Sequence, residues 1–472
     1  MMNGVMDKHK ALTETELKEM TVLVVGLARS GVAASDVLLD LGAKVTVTDA
    51  RPDPVSAEEI ARLQGRGVRI ELGANSVDFA RGCDALIVSP GVPLDNEVIR
   101  WAYGQGKTVM SEIELAYCLS DARFVAVTGT NGKSTTVSLL GTIISCGTDK
   151  VKVGGNIGFP VSPMARGLGE DWIVVVEVSS FQLDTCISFR PEVSVLLNIT
   201  PDHLNRYPSY EAYAESKARL FANQGPNDVA IINLDDPDSV RASSGVKSKK
   251  MFYSIKEEVD EGAFVKGEKV VVRVGGTALE VFLTDDLRIK GPHNLANSLA
   301  ASLAATLLGL PPEIIRRGIR EFPGLEHRFE YVDKIGEREF INDSKATNPE
   351  SMLSALEAAE PPVMLIAGGK DKGGDFSVAA PLIAEKVHTI FAIGEARTKL
   401  HDVFSPLVSV KFTDTLEEAV RGSFESCPPS GRILLAPGCA SFDMFIDFEH
   451  RGREFKKAVQ ILKEECEAAG HE

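Results

Sequence analysis

Residues 128–135, TGTNGKST, carry the clearest chemistry in the chain. Glycines in such a loop let backbone N–H groups close on phosphate oxygens, and a helix beginning there adds the positive end of its dipole. Lys133 can reach the β- and γ-phosphates, and the Ser134 hydroxyl suits Mg²⁺. Gly129, Thr130, Asn131, Gly132, Lys133, Ser134 and Thr135 are therefore the candidate phosphate-holding residues, with ATP as the predicted ligand. Val127 stands where the G-x-x-x-x-G-K-[ST] pattern has its first glycine, so a Gly-rich turn without function is the alternative.

The elements that must position this loop are an apolar strand, RFVAVT (123–128), and a following helix. Two more strand-like runs, WIVVVEVS (172–179) and EVSVLLNIT (192–200), place Glu177 near one strand end and His203 just past the next. In doubly wound sheets chemistry sits at such strand ends. Lys217 falls in YAESKARLF, an amphipathic helical pattern. Together these three could complete a metal and phosphate site. Singly they read as a strand-end carboxylate, a surface histidine and a solvated lysine.

Upstream, TVLVVG (21–26), KVTVTD (44–49), DALIVSPG (84–91) and KTVMSE (107–112) alternate with helical stretches, which predicts a parallel sheet. GLARSG (26–31), with Asp49 ending the next strand, approaches a dinucleotide fingerprint, but Ala28 replaces its middle glycine. That change weakens a nicotinamide reading and leaves room for a diphosphate held otherwise. Alternating VVVRV and LEVFL around residues 275–276 predict an antiparallel hairpin. Downstream, the strands in REFIND, PPVMLIAGG, TIFAIGE and RILLAPG each run into polar or Gly-rich loops bearing Asp343, Lys345, Thr347, Lys372 and Ser441. Ser441 is expected to begin a helix, where it and Asp443 either cap the helix or receive a carboxylate-bearing ligand together with Lys372. The fold class is α/β in three domains: a Rossmann-like domain at 1–115, a central P-loop-type ATPase domain with an added antiparallel sheet at 116–322, and a Rossmann-like domain at 323–472.

Composition narrows the function. The chain has 472 residues, 44% of them hydrophobic, and 51 Lys plus Arg against 67 Asp plus Glu, a net charge of −16. That excludes disordered and disulfide-scaffold classes and argues against nucleic-acid and anionic-membrane partners. Anionic substrates must be held by locally placed cations and N–H groups. The seven cysteines form no C-x-x-C pair, which fits reduced thiols. With no signal-like N-terminus and no apolar run of about 18 residues, the expected compartment is the cytoplasm.

In order along the chain, TGTNGKST, NIG (156–158), EVSSFQLD (177–184), NITPDHLNRY (198–207), GPHNLANSLAA (291–301), EHRFE (326–330) and NDSKATN (342–348) resemble the Mur ligase family of peptidoglycan synthesis. NDSKATN and the ending CASFDMFIDFEHRG (439–452) resemble the D-glutamate-adding member in particular. The DNPR signature of the diamino-acid enzymes is absent. The resemblance implies a cytoplasmic, monomeric, ATP- and Mg²⁺-dependent amide ligase. It would join D-glutamate to UDP-N-acetylmuramoyl-L-alanine through an acyl phosphate, serving cell-wall biogenesis, cell shape and cell division.

The same resemblance implies roles. Ser134 and Glu177 match one Mg²⁺ site, and His203 with Lys217 as a carbamate match a second. Lys133, His203 and Lys217 match catalytic positions. Asn297, Arg328 and Asp343 match nucleotide contacts. Arg29, Ser30, Asp49, Ser89, Pro90, Gly91 and Asn156 match contacts to the UDP substrate. Lys345, Thr347, Lys372, Ser441 and Phe448 match the D-glutamate end, whereas Lys370 stands where the family often has Asp. The rival readings are a sister amide ligase of the folylpolyglutamate type, a nicotinamide-dependent oxidoreductase resting on GLARSG, and an ATP-gated binding protein without chemistry.

Overall fold

The computed structural model describes residues 10–202 and 206–468. The chain packs as two compact units, one of residues up to 283 together with 297–319, the other of 284–296 and 320 onward.

The first unit holds two sheets. In the first, β1 (Thr21–Val25), β2 (Lys44–Asp49), β3 (Arg69–Leu72), β4 (Ala85–Val88) and β5 (Thr108–Ser111) lie in the order β3-β2-β1-β4-β5. All pairs are parallel. Val22 to Val25 and Ala85 to Val88 are buried, as strands covered on both faces require. The order reverses between β1 and β4, so the loops after them border the crevice where such sheets bind ligands.

The second sheet has nine strands: β6 (Arg123–Thr128), β7 (Val151–Gly155), β8 (Ile173–Glu177), β9 (Val193–Leu196), β10 (Val229–Asn233), β11 (Lys249–Ser254), β12 (Gly262–Lys266), β13 (Lys269–Val274) and β14 (Thr277–Leu283). Their order is β14-β13-β12-β11-β10-β9-β6-β8-β7. β12, β13 and β14 pair antiparallel, the hairpin expected around 275–276, while β6 to β12 run parallel. β6 sits between β8 and β9, so its C-terminal loop opens at the switch point beside the ends of both neighbours.

The second unit carries β15 (Glu330–Ile335), β16 (Arg338–Asn342), β17 (Val363–Gly368), β18 (Val387–Ile393), β19 (Ser409–Phe412) and β20 (Arg432–Leu435), ordered β15-β16-β20-β17-β18-β19. Only the β15–β16 pair is antiparallel. One expectation fails here. Ser441 opens a turn, its carbonyl accepting from the N–H groups of Met444 and Phe445, and the helix begins later, at Phe448. The cap is Asp447, whose Oδ1 accepts from His450 N at 2.6 Å. Asp443 caps nothing at Ser441, because its Oδ2 is taken by Glu395 N at 3.0 Å. Among the described residues no helix is long and apolar enough to cross a membrane.

Candidate active site

The nucleotide loop leaves β6 and turns into the helix Lys133–Ser145 through Gly132, whose φ of 84° is in the left-handed region. A Cβ on Gly132 would lie 2.4 Å from Asn297 Oδ1, so glycine is needed to let the buried Asn297 side chain close on the loop. Lys133 Nζ folds back to donate to the carbonyls of Gly129 (2.9 Å) and Thr130 (2.7 Å). Ser134 Oγ donates to Glu177 Oε2 at 2.6 Å, and Asn156 Nδ2 donates to Glu177 Oε1 at 2.9 Å. Ser134, Glu177 and Asn156 thus meet at the ends of β6, β7 and β8. Thr130 and Thr135 are buried beside them.

Lys217 was expected in an amphipathic helix, with a solvated lysine as the plain alternative. The helix Tyr210–Ala218 instead turns Tyr213, Ser216 and Lys217 inward, and Lys217 is 2% exposed. Its Nζ donates to Gly129 O at 2.7 Å and lies 4.6 Å from the centre of the Tyr213 ring. Burial, reinforced by the charge of Lys133, holds its amine well below the usual lysine range. His203 lies outside the described residues.

The oxygens of Ser134 and Glu177 are hard donors of the kind Mg²⁺ takes. Among the described residues no three His, Cys, Asp or Glu side chains gather as a metal cluster.

At the first sheet, Ser89 Oγ donates to Gly26 O at 2.7 Å and ties the β1 and β4 loops together. A Cβ on Gly31 would stand 2.0 Å from Gly26 O, which accounts for that glycine. Ala28 caps the helix Arg29–Leu41 with no side-chain bond, leaving Arg29 exposed and Ser30 half-buried at its N-terminus. Asp49 is buried, accepting from Leu27 N (2.7 Å) and from Arg51 Nη2 (2.9 Å). Burial raises its carboxyl, but the hydrogen bonds from Arg51 and Leu27 outweigh that and hold it below the usual range. Sequence reasoning passed over Arg51. Pro90 is half-buried and Gly91 exposed, and the Gly91 carbonyl accepts from Arg206 Nη1 at 3.3 Å.

In the second unit, Asp343 follows β16, and burial pushes its carboxyl up to about 7 against the pull of Arg328. Arg328 is flanked by His327 (φ 62°) and Phe329 (φ 47°), two non-glycine residues in the left-handed region. Backbone strain of that kind concentrates at functional sites. Lys345 Nζ lies 3.7 Å from the centre of the Phe448 ring. Thr347 is half-buried, Lys372 is exposed in the loop after β17, and Ser441 is buried.

Behind them sits Arg451, fully buried and not singled out from the sequence. Its guanidinium donates to Ser344 Oγ (3.0 Å), Ser344 O (2.7 Å) and Cys439 O (3.1 Å), which fixes the loops carrying Lys345 and Ser441. The only sequence signal was its place in the FEHRG ending.

Comparison with known proteins agrees with this architecture. Residues 20–111 match the Mur ligase MurD-like N-terminal domain, 127–305 the Mur ligase middle domain, and 327–439 the Mur ligase glutamate ligase domain. The UDP-N-acetylmuramoylalanine–D-glutamate ligase of Thermoanaerobacter sp. (strain X514) is 39% identical over 452 residues, covering 95% of this chain and 100% of that protein. Its counterpart in Pelotomaculum thermopropionicum is 41% identical over 452 residues, covering 95% of this chain and 99% of that protein. Among solved structures, the UDP-N-acetylmuramate–alanine ligase of Thermotoga maritima superimposes with a TM-score of 0.60 at 18% identity, covering 94% of this chain and 100% of that one. With family models matching along most of its length and relatives near 40% identity, this chain belongs to the Mur ligase family.

Proposed function

We propose that the protein joins D-glutamate to UDP-N-acetylmuramoyl-L-alanine at the expense of ATP, a step of peptidoglycan synthesis in the cytoplasm. The observation that carries this is near-full-length identity of about 40% to ligases named for that reaction. The loop geometry supports the chemistry. The Lys133 ammonium and the N-terminus of its helix offer positive charge to the phosphates, and Asn297 packs against the loop. Phosphoryl transfer to the substrate carboxylate makes an acyl phosphate. The neutral amine of D-glutamate attacks its carbonyl carbon, and phosphate leaves as the amide forms.

Mg²⁺ fits the Ser134–Glu177 oxygen pair and would supply neutralising charge between two anionic reactants. A second site would draw on His203 and on Lys217 as a carbamate. The buried amine of Lys217, held well below the usual lysine range, supports that reading, since carbamate formation from CO₂ begins with an unprotonated nitrogen. The crevice between the β1 and β4 loops is the proposed seat of the UDP portion, through Arg29, Ser30, Asp49 and Ser89–Gly91, with Asn156 toward the sugar. Arg328 and Asp343 are assigned to the nucleotide, and Lys345, Thr347, Lys372, Ser441 and Phe448 to D-glutamate. The domain limits at 115/116 and 322/323 and a monomeric state belong to the same proposal.

The test labels the substrate carboxylate with oxygen-18 and follows one turnover. Label appearing in the released phosphate, only when D-glutamate and ATP are both present, is expected. Unlabelled phosphate would remove the acyl phosphate from the scheme.

A further inference from the structure

Asn198 has no part in the roles assigned above, yet its side chain makes three hydrogen bonds to the nucleotide loop. Oδ1 accepts from Thr130 N (3.1 Å) and Asn131 N (2.8 Å), while Nδ2 donates to Asn131 O (3.1 Å). The Asn198 carbonyl accepts from Thr130 N as well, at 2.9 Å. Asn198 stands just past the end of β9, adjacent to β6 in the sheet. The next segment is fastened too, because Thr200 N donates to Thr130 Oγ1 at 3.0 Å and Thr130 Oγ1 lies 3.1 Å from the Tyr213 hydroxyl.

Two backbone donors at the crest of a phosphate loop are therefore taken by the protein itself. A Gly-rich phosphate loop ordinarily keeps such N–H groups turned toward the anion. This loop lacks the first glycine of that pattern, Val127 standing in its place. We infer that Asn198 is a positioning residue that clamps Thr130 and Asn131, so that the triphosphate is received by the N–H groups of residues 132–135 and by Lys133. The inference rests on the reading of this loop as the ATP site. The same bonds tie the loop to residues 198–200, the segment that follows β9.

The experiment is hydrogen–deuterium exchange resolved to single amides on the wild-type protein, without nucleotide and with MgATP. Amides 130 and 131 are expected to be protected before nucleotide is added and to gain little from it. Amides 132–135 should gain protection on binding. Fast exchange at 130 and 131 in the nucleotide-free protein overturns the clamp. Absence of any gain at 132–135 overturns the ATP reading of the loop, and the inference with it, so the two failures are distinguishable.

Asn198→Asp retains the shared acceptor and should keep the protection of amide 131 that Asn198→Ala loses, whereas amide 130 stays bonded to the main-chain carbonyl of residue 198 in both variants. Loss of these bonds in Asn198→Ala should raise the apparent KM for MgATP about tenfold while shifting that for the UDP substrate by less than about twofold. Equal shifts in both would mark Asn198 as a merely structural residue and overturn the inference.

Discussion

Lys133 and Lys217 share one acceptor: their Nζ atoms lie 2.9 and 2.7 Å from the carbonyl oxygen of Gly129. Two ammonium groups cannot comfortably face one oxygen, and Lys217, the more buried, is the one whose amine is held well below the usual lysine range. Lys133→Met should therefore let Lys217 hold a proton more readily and lower its carbamate occupancy. Carbon-13 NMR of protein equilibrated with labelled bicarbonate near neutral pH reads this directly, and equal carbamate signal in both proteins would contradict the coupling. The same variant should lose about a hundredfold or more in rate, the usual cost of removing a charge that faces a transferring phosphoryl group.

Lys217→Ala should be inactive and recover part of its activity with formate or acetate, small carboxylates able to enter the cavity and supply the missing oxygens. Lys133→Ala should show no such rescue, since an added anion cannot replace a cation. Initial rates over a carboxylate titration test the pair. Full activity of wild type in CO₂-depleted buffer, with a bare amine at Lys217 in a crystal structure, would dispose of the carbamate.

Asp343 gives a pH prediction with a definite sign. Its carboxyl rises from an ordinary 3.8 to about 7 in the folded protein. Between those values the unfolded chain has released the proton and the folded chain still holds it. Folding stability therefore falls as pH rises from about 4 to about 7, and the difference is constant above that. Asp343→Asn, which cannot ionise, should gain on wild type across this window. Denaturant midpoints of both proteins at several pH values between 4 and 8 check it, and parallel profiles would show that Asp343 is ordinary.

Lys372 lies exposed in the loop after β17, well placed to meet a solvent-borne carboxylate. Lys372→Ala should raise the apparent KM for D-glutamate by a factor equivalent to about 2–3 kcal/mol, the worth of a charge-assisted hydrogen bond. KM values for ATP and the UDP substrate should stay close to wild type. Unaltered D-glutamate kinetics would move the amino-acid site elsewhere.

Much of this was legible before any coordinates. TGTNGKST announces itself because a strand, a left-handed glycine and a helix N-terminus must follow one another there, and Gly132 does adopt φ 84°. The hairpin at 275–276 was legible from alternation. β7 was not, since VKVGG ends in two glycines and reads as a loop until β8 supplies its partner. Ser441 and Asp443 looked like helix caps because a local pattern cannot reveal that Asp443 is already engaged by Glu395 N across the sheet. Lys217 was singled out from the sequence but its burial was not, and Arg451 was passed over, for one reason: charged residues in helices usually face water. Only tertiary packing shows that these two face the interior, each satisfied by backbone carbonyls. Asn198 is legible only from its neighbours, because a clamp needs the loop it holds.

The central claim is the amino acid joined, and one measurement bears on it most directly. Purified protein with MgATP and UDP-N-acetylmuramoyl-L-alanine is offered D-glutamate, L-glutamate, L-lysine and L-alanine in separate reactions, and phosphate release is followed together with the mass of the UDP product. Release with D-glutamate alone, matched by a product heavier by one glutamyl residue, is the predicted result. Turnover with L-lysine or L-alanine, or ATP binding without release with any of the four, would contradict the account.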